Sequence, residues 1–330
     1  MHLKEGIQLF FVQIRQYARF LIQFFCQYGG KTMGNFLINA IGILILIFLA
    51  FYVYNRITGG FDKRLAGRIK TAREKLRKSD GDRIGKRIVV PRDGKKGVTV
   101  NLYRPSRETE GMPAVFVAHG GSFMDGDADQ LDSYCARMAD RWDSLIVNIN
   151  YTTMDVEQFP WQQEEIRDTV LYFAVHASEF GIDAEKFSFV GFSAGAYLQI
   201  GAAAYLKEKG FRLCGMIAFY PFIDDAMIHL ADMGMYPEHF TLVTTGSDAM
   251  KDREPVLIEH LKNAGTDLNV KEYADAVQGF AEYNNPEYEN DPVYQRSKAI
   301  SEDQAVFARA CEIWTGSELE RFIQKNTEKR

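Results

Sequence analysis

The chain has 330 residues, 46% of them hydrophobic, and a formal net charge of −5 at pH 7. That is apolar material for one sizeable core, in the size range where α/β folds form a single domain, and the acidic balance argues against a nucleic-acid partner, which would need cationic phosphate contacts. The four cysteines, Cys26, Cys135, Cys214 and Cys311, stand far apart with no metal-ligand spacing, so neither a zinc site nor a disulfide framework is expected, and no cofactor is implied.

The charge is unevenly spread. Residues 1–80 carry thirteen Lys/Arg against four Asp/Glu, leaving twenty-six against forty for the remainder. Within residues 1–31 the polar positions Gln8, Arg15, Gln16, Arg19, Gln23 and Gln27 form one helical stripe among Leu, Ile and Phe. Two arginines in mid-helix make spanning a bilayer costly, so this segment reads as an interfacial amphipathic helix. Met33 is an alternative start, which would make the preceding residues an extension. Residues 32–55 contain no charge, and Phe36–Tyr54 is almost wholly apolar. At about 1.5 Å per residue such a run crosses a hydrocarbon core of roughly 30 Å, which predicts a transmembrane helix and a membrane-lipid partner. Residues 56–85 form a basic juxtamembrane helix and linker, with Leu65, Ile69, Ala72 and Leu76 at helical spacing among the cations. Lipid contact and an ordinary solvated face both fit that helix. The positive-inside rule puts the following domain on the cytoplasmic side of a single-pass protein.

From residue 86 to 330 the pattern alternates. Strands are predicted at Arg87–Val90, Val98–Tyr103, Ala114–Ala118, Leu145–Ile149, Phe187–Val190, Gly215–Phe219, Thr241–Thr244 and Leu268–Tyr273. Helices are predicted near 129–141, 161–180, 194–209 and 252–264, with another after 298 and a frayed end at 317–330. Strands alternating with helices of this length imply an α/β fold, a mainly parallel eight-stranded sheet covered on both faces. The first two strands, joined through Asp93–Gly97, read as an antiparallel edge hairpin.

Two motifs carry chemistry. Gly191-Phe192-Ser193-Ala194-Gly195 follows one predicted strand and opens a helix. A bare G-x-S-x-G arises by chance in roughly one chain of this length in ten, so the strand–turn–helix context gives it weight. A sharp turn there lifts the Ser193 hydroxyl above the sheet, and Gly191 and Gly195 stand where a side chain would clash. His119-Gly120-Gly121-Ser122-Phe123 ends the Ala114–Ala118 strand. A glycine-rich bend there can aim backbone N–H groups at an acyl oxygen.

HGGSFMDGD, GFSAGA, GSDAMKD and ADAVQGF follow one another in the order and spacing of the hormone-sensitive-lipase-like esterases, and residues 86–312 resemble that acetyl-esterase/lipase family of α/β-hydrolases. The resemblance implies Ser193 as nucleophile, Asp248 as triad acid, and N–H groups of Gly120, Gly121, Ser122 and Ala194 as an oxyanion hole, with His119 supporting the bend. It implies a small-molecule ester substrate of small to medium acyl length, because the segment from Asp224 to Phe240 is short for a large lid. Pro160–Asp168 and Tyr220-Pro221-Phe222 also match family segments.

Two positions depart from the pattern. Ser122 replaces a third glycine, and Gln278 stands where the family has the general-base histidine. An amide is not basic near neutral pH, so Gln278 can hydrogen-bond the hydroxyl without taking its proton. Impaired turnover is the direct expectation. The alternative is a non-catalytic binding protein that uses the old pocket at the membrane. His229 and His239, between Asp224 and Thr241, are the candidates for a substitute base, while His2, His176 and His260 lie in the N-terminal extension or in predicted helices.

Overall fold

A computed structural model of the chain describes residues 60–285 and 303–328. The predicted amphipathic segment 1–31 and transmembrane helix 32–55 lie outside the described residues. Among the described residues no helix is long and apolar enough to cross a membrane. The chain divides into two units, Met1–Gly67 and Arg68–Arg330.

Eight strands form one sheet in the order β1-β2-β4-β3-β5-β6-β7-β8. They are β1 (Lys86–Arg92), β2 (Lys95–Tyr103), β3 (Met112–Ala118), β4 (Leu145–Asn150), β5 (Ile182–Phe192), β6 (Gly215–Phe219), β7 (His239–Thr245) and β8 (Asp267–Tyr273). β2 pairs antiparallel with both β1 and β4, and the other pairings are parallel. Every predicted strand is present. The edge hairpin turns more tightly than expected, with Arg92 paired to Lys95 across Asp93-Gly94 and Gly94 at φ 63°. An Asp-Gly pair closes a two-residue turn because glycine enters the left-handed region freely.

Apolar residues on the strands alternate between two cores, as a pleat of period two requires. On β3, Ala114, Phe116 and Ala118 face one core while Val115 and Val117 face the other. The first core is roofed by α3 (Trp161–Val175), α5 (Ala194–Glu208), α6 (Asp225–Asp232) and α7 (Glu254–Asn263), and the second by α2 (Asp132–Arg141) and α9 (Gln304–Glu328). Phe116 meets Phe173, Phe187 and Phe189 edge-on, and each fully buried ring of this kind contributes about 1.5–3 kcal/mol. Short helices α4 (Ala177–Phe180) and α8 (Phe280–Tyr283), α1 (Gly60–Glu74) and a 3-10 turn at Ala128–Leu131 complete the described elements.

α6 is absent from the sequence reading. Asp224 caps it, accepting from the Met227 N–H at 3.0 Å, so the short segment between Asp224 and Phe240, judged too short for a large lid, holds a docked helix. α9 runs unbroken to Glu328, where a frayed end was expected, because Cys311, Leu319 and Phe322 bury one side of it.

The α/β unit also begins earlier than the expected boundary at residue 86. Asp127, Asp129 and Asp132, all buried, receive the segment before β1. Arg83 Nε lies 2.8 Å from Asp129, Lys78 Nζ lies 3.0 Å from Asp132, and Arg77 Nε lies 3.0 Å from Asp127. The Ile84 and Gly85 N–H groups also donate to Asp132. Arg73 joins the same unit through Thr153 and Asp155. From Arg73 onward the expected juxtamembrane linker is therefore part of the domain, its cations spent on aspartates.

β3 is the switch point of the sheet: the chain steps from it to β4 on one side and returns to β5 on the other. In open α/β sheets the crevice above the carboxyl ends at such a point holds ligands. Both sequence motifs end there.

Candidate active site

Ser193 occupies the turn between β5 and α5 with φ 50° and ψ −118°. A non-glycine residue in that region costs on the order of 1–3 kcal/mol, and such strain concentrates at working sites. The turn persists because its surroundings fix it. The Ser193 N–H donates to the Phe219 carbonyl at 2.9 Å. A Cβ at Gly191 would fall 2.6 Å from Ala196 Cα, and one at Gly195 would fall 2.4 Å from both the Ala118 and His119 carbonyl oxygens. Only glycine lets β3, β5 and α5 close to this distance.

The bend after β3 faces that turn: a Cβ on Gly120 would stand 3.4 Å from Ser193 Cβ. Gly121 has φ 135°, and its carbonyl accepts from Asp125 N–H at 2.8 Å. Ser122 has φ 50°, in the left-handed region, so serine at the third-glycine position keeps its N–H and carries backbone strain of about 1–2 kcal/mol. The N–H groups of Gly120, Gly121, Ser122 and Ala194 meet no acceptor among the described residues. His119 is fully buried, stacked on Tyr151, and its Nδ1–H donates to the Gly120 carbonyl at 2.7 Å. Burial pushes its pKa down, which keeps it neutral as a brace under the bend.

Gln278 reaches Ser193. Its Nε2 donates to Ser193 Oγ at 3.1 Å, from the loop that leads through Gly279, φ 90°, into α8. Asp248 follows β7, and its Oδ1 accepts from Met250 N–H at 2.8 Å. Its Oδ2 is buried without a partner, and burial raises its pKa. In a complete triad that oxygen would hold an imidazole N–H.

The described histidines are engaged elsewhere. His239 begins β7, at the opposite edge of the sheet from Ser193, and pairs with Asp267 at 2.7 Å. His229 is exposed on α6. His176 bonds the Tyr172 carbonyl, and His260 bonds Asp232. Neither His229 nor His239 lines the cleft that holds Ser193, so the expectation of a substitute imidazole from that segment is not met: helix α6 and the His239–Asp267 pair hold both rings away.

That cleft has a volume of about 450 Å³. Besides Gly120, Gly121, Ser122, Ser193 and Gln278 it is lined by Leu76, Asp125, Gln130, Tyr220, Glu282 and Tyr283. These were not singled out by sequence as chemical groups, although Tyr220 fell in a family segment and Glu282 lies four residues after Gln278. Glu282 is buried and accepts from the Tyr220 hydroxyl; burial pushes its pKa up to about 7. Tyr220 has φ 36°, a further strained residue at the carboxyl edge of the sheet. Beside the nucleophile, Phe123, Phe159, Tyr197 and Phe222 pack edge to face, with Phe159 and Phe222 partly open to solvent. A cavity of about 500 Å³ at the other edge, around Lys207, Tyr236 and His239, contains none of these groups.

Comparison with known proteins agrees with this geometry. The BD-FAE family profile matches residues 100–219. Acetyl esterases of Salmonella schwarzengrund (strain CVM19633) and Salmonella choleraesuis (strain SC-B67) are each 31% identical over 121 residues, 37% of this chain and 37% of theirs. The match thus spans little more than a third of those relatives. A thermophilic carboxylesterase cloned from a metagenomic library superposes with a TM-score of 0.59 at 17% identity, covering 79% of this chain and 97% of that one. A hyperthermophilic esterase from the archaeon Pyrobaculum calidifontis gives 0.56 at 21% identity, covering 74% and 98%. With the serine turn, the facing glycine bend and the sheet order, these likenesses show an α/β-hydrolase fold and a similarity to acetyl esterases over little more than a third of the chain.

Proposed function

We propose that the chain is a carboxylic-ester hydrolase acting through Ser193 by an acyl-enzyme route, with turnover impaired by Gln278. The observation that carries the reading is the hydrogen bond from Gln278 to Ser193 Oγ, in a turn facing the 120–122 bend. Ser193 Oγ attacks the ester carbonyl, the N–H groups of the bend and of Ala194 stabilise the oxyanion, the alcohol leaves, and water releases the acid. A triad without its base keeps about 10³–10⁴-fold acceleration over water from the oxyanion hole and binding. Short and medium acyl esters fit best, because docked α6 leaves the segment before β7 no large lid.

The anchor belongs to the same proposal: residues 32–55 hold the enzyme at a membrane as a single-pass protein, with the hydrolase unit on the cytoplasmic side. A second reading, a binding protein that retains the pocket, is favoured by the same glutamine. Assaying the full chain and Ser193→Ala with p-nitrophenyl acetate and butyrate separates them. Slow hydrolysis lost in Ser193→Ala supports the esterase; ester binding with no Ser193-dependent turnover supports the binding protein.

A further inference from the structure

We propose that Glu282 is the proton acceptor for Ser193 in this chain, reached through one water in the shared cleft. The inference rests on the esterase reading and asks which group sustains the turnover that remains.

Gln278 donates to Ser193 Oγ, so the oxygen's acceptor capacity faces the amide and its own proton is turned away from that side chain. Something else in the cleft must receive it. No described imidazole lines the cleft, and Asp248, the triad acid, does not line it either. Its lining offers two carboxyls, Asp125 and Glu282, and two phenols, Tyr220 and Tyr283. Burial drives both phenols well above their ordinary range, which makes them donors. The two carboxyls differ. Asp125 sits within the bend, and its Oδ1 is already held by the Gly126 N–H at 2.8 Å. Glu282 stands on α8, four residues beyond Gln278, 4% exposed, with Oε2 fixed by the Tyr220 hydroxyl.

The environment of Glu282 suits a base at neutral pH. Burial raises its pKa to about 7, and the Tyr220 hydrogen bond acts in the opposite direction by favouring the carboxylate. The groups that face it are Tyr220 at the end of β6, Tyr283 on its own helix and Cys311 on α9, whose buried thiol is pushed up to about 12. None of these is charged near neutral pH; Asp125, across the cleft, adds negative charge that reaches Tyr283. A carboxylate matched to the working pH is the property that makes a group an effective general base.

The step balances without any further reactant. As Ser193 Oγ bonds to the acyl carbon, its proton passes through the water to Glu282. The carbonyl–alkoxy bond then breaks, and Glu282 returns the proton to the departing alcohol. In deacylation Glu282 takes a proton from the attacking water, and the serine oxygen recovers one as the acid leaves.

The test is the pH profile of hydrolysis of p-nitrophenyl acetate by the full chain. Wild type should gain activity through a midpoint near 7. Glu282→Gln should lose that rise and about tenfold or more of the rate above it. Glu282→Asp should keep a rise. Tyr220→Phe should move the midpoint upward, since the carboxylate loses its donor, a shift that a purely structural role would not produce. In a Gln278→His background the introduced imidazole competes as base, so Glu282→Gln should cost a several-fold smaller loss there than in wild type. Wild-type rate and profile in Glu282→Gln, with turnover still lost in Ser193→Ala, would overturn this assignment and leave the esterase reading standing. Loss of all activity in the Gln278→His/Glu282→Gln double variant would show that Glu282 serves the fold, and would overturn it too. Turnover surviving Ser193→Ala would refute the esterase reading itself.

Discussion

Replacing Gln278 by histidine should restore a working triad, and the structure sets the size of the gain. The Gln278 amide nitrogen already lies 3.1 Å from Ser193 Oγ, inside the 2.6–3.2 Å reach of a general base. Asp248 Oδ2 is buried with no partner among the described residues, the acceptor a triad would use to orient an imidazole N–H. A positioned base contributes about 10²–10⁴-fold, and loss of a complete triad member costs on the order of 10⁶. For a loop that grew up around glutamine, we expect Gln278→His to raise kcat for p-nitrophenyl acetate by about 10²–10⁴-fold, a barrier lower by roughly 3–5 kcal/mol. The gain should vanish on adding Ser193→Ala. Steady-state release of p-nitrophenolate measures it directly. Wild type already as fast as Gln278→His, or a gain that survives Ser193→Ala, would refute the reasoning that the missing imidazole limits an otherwise assembled site.

Other outcomes follow from the same contacts. Asp248→Asn should change wild-type turnover by less than about threefold, since no base depends on it, yet cost Gln278→His most of its gain, because an amide holds the wrong tautomer. Glu254 and Glu282 have folded pKa values raised by burial to about 7, so the stability that they confer is full below about pH 4 and lost as pH rises through 7. Glu254→Gln should therefore raise Tm at pH 8 by the equivalent of up to about 3 kcal/mol and leave it nearly unchanged at pH 4; the reverse order, read by thermal denaturation, would contradict that sign. Asp129→Asn removes the buried carboxylate shared by Arg83 and Arg87, leaving Arg83 only exposed Asp80 as a counter-charge, and should cost about 3 kcal/mol in urea denaturation, against under about 1 kcal/mol for a surface pair.

Local patterns carried most of the fold. The β-branched and aromatic runs forecast all eight strands, and on the central strands period-two alternation of residues such as Ala114, Phe116 and Ala118 explains why: those strands are wrapped on both faces. The serine turn was legible because Gly191 and Gly195 fill positions that exclude a Cβ, a steric demand expressed in adjacent residues. Gln278 was legible as the odd residue in its loop, and it does meet Ser193. What escaped depends on distance along the chain. The Arg83–Asp129 contact joins residues 46 apart, and nothing in the basic run distinguishes a cation bound for an aspartate from one left in solvent. Glu282 gains its character from burial beside Tyr220, 62 residues away, which a single carboxylate in a sequence does not reveal. Helix α6 was written locally, in the Asp224 cap and Met227, but its short apolar face is weak beside the strands around it.

The central claim is that Ser193 is a nucleophile that still attacks esters although its loop offers no imidazole. Incubating the full chain with p-nitrophenyl acetate, quenching in acid and mapping the acyl group by peptide mass spectrometry tests it most directly. The account predicts a single acetyl group on Ser193, accumulating because release without an imidazole is slow, and none in Ser193→Ala. Hydrolysis that proceeds while Ser193 stays unmodified, or acetyl groups carried only by other residues, would contradict it.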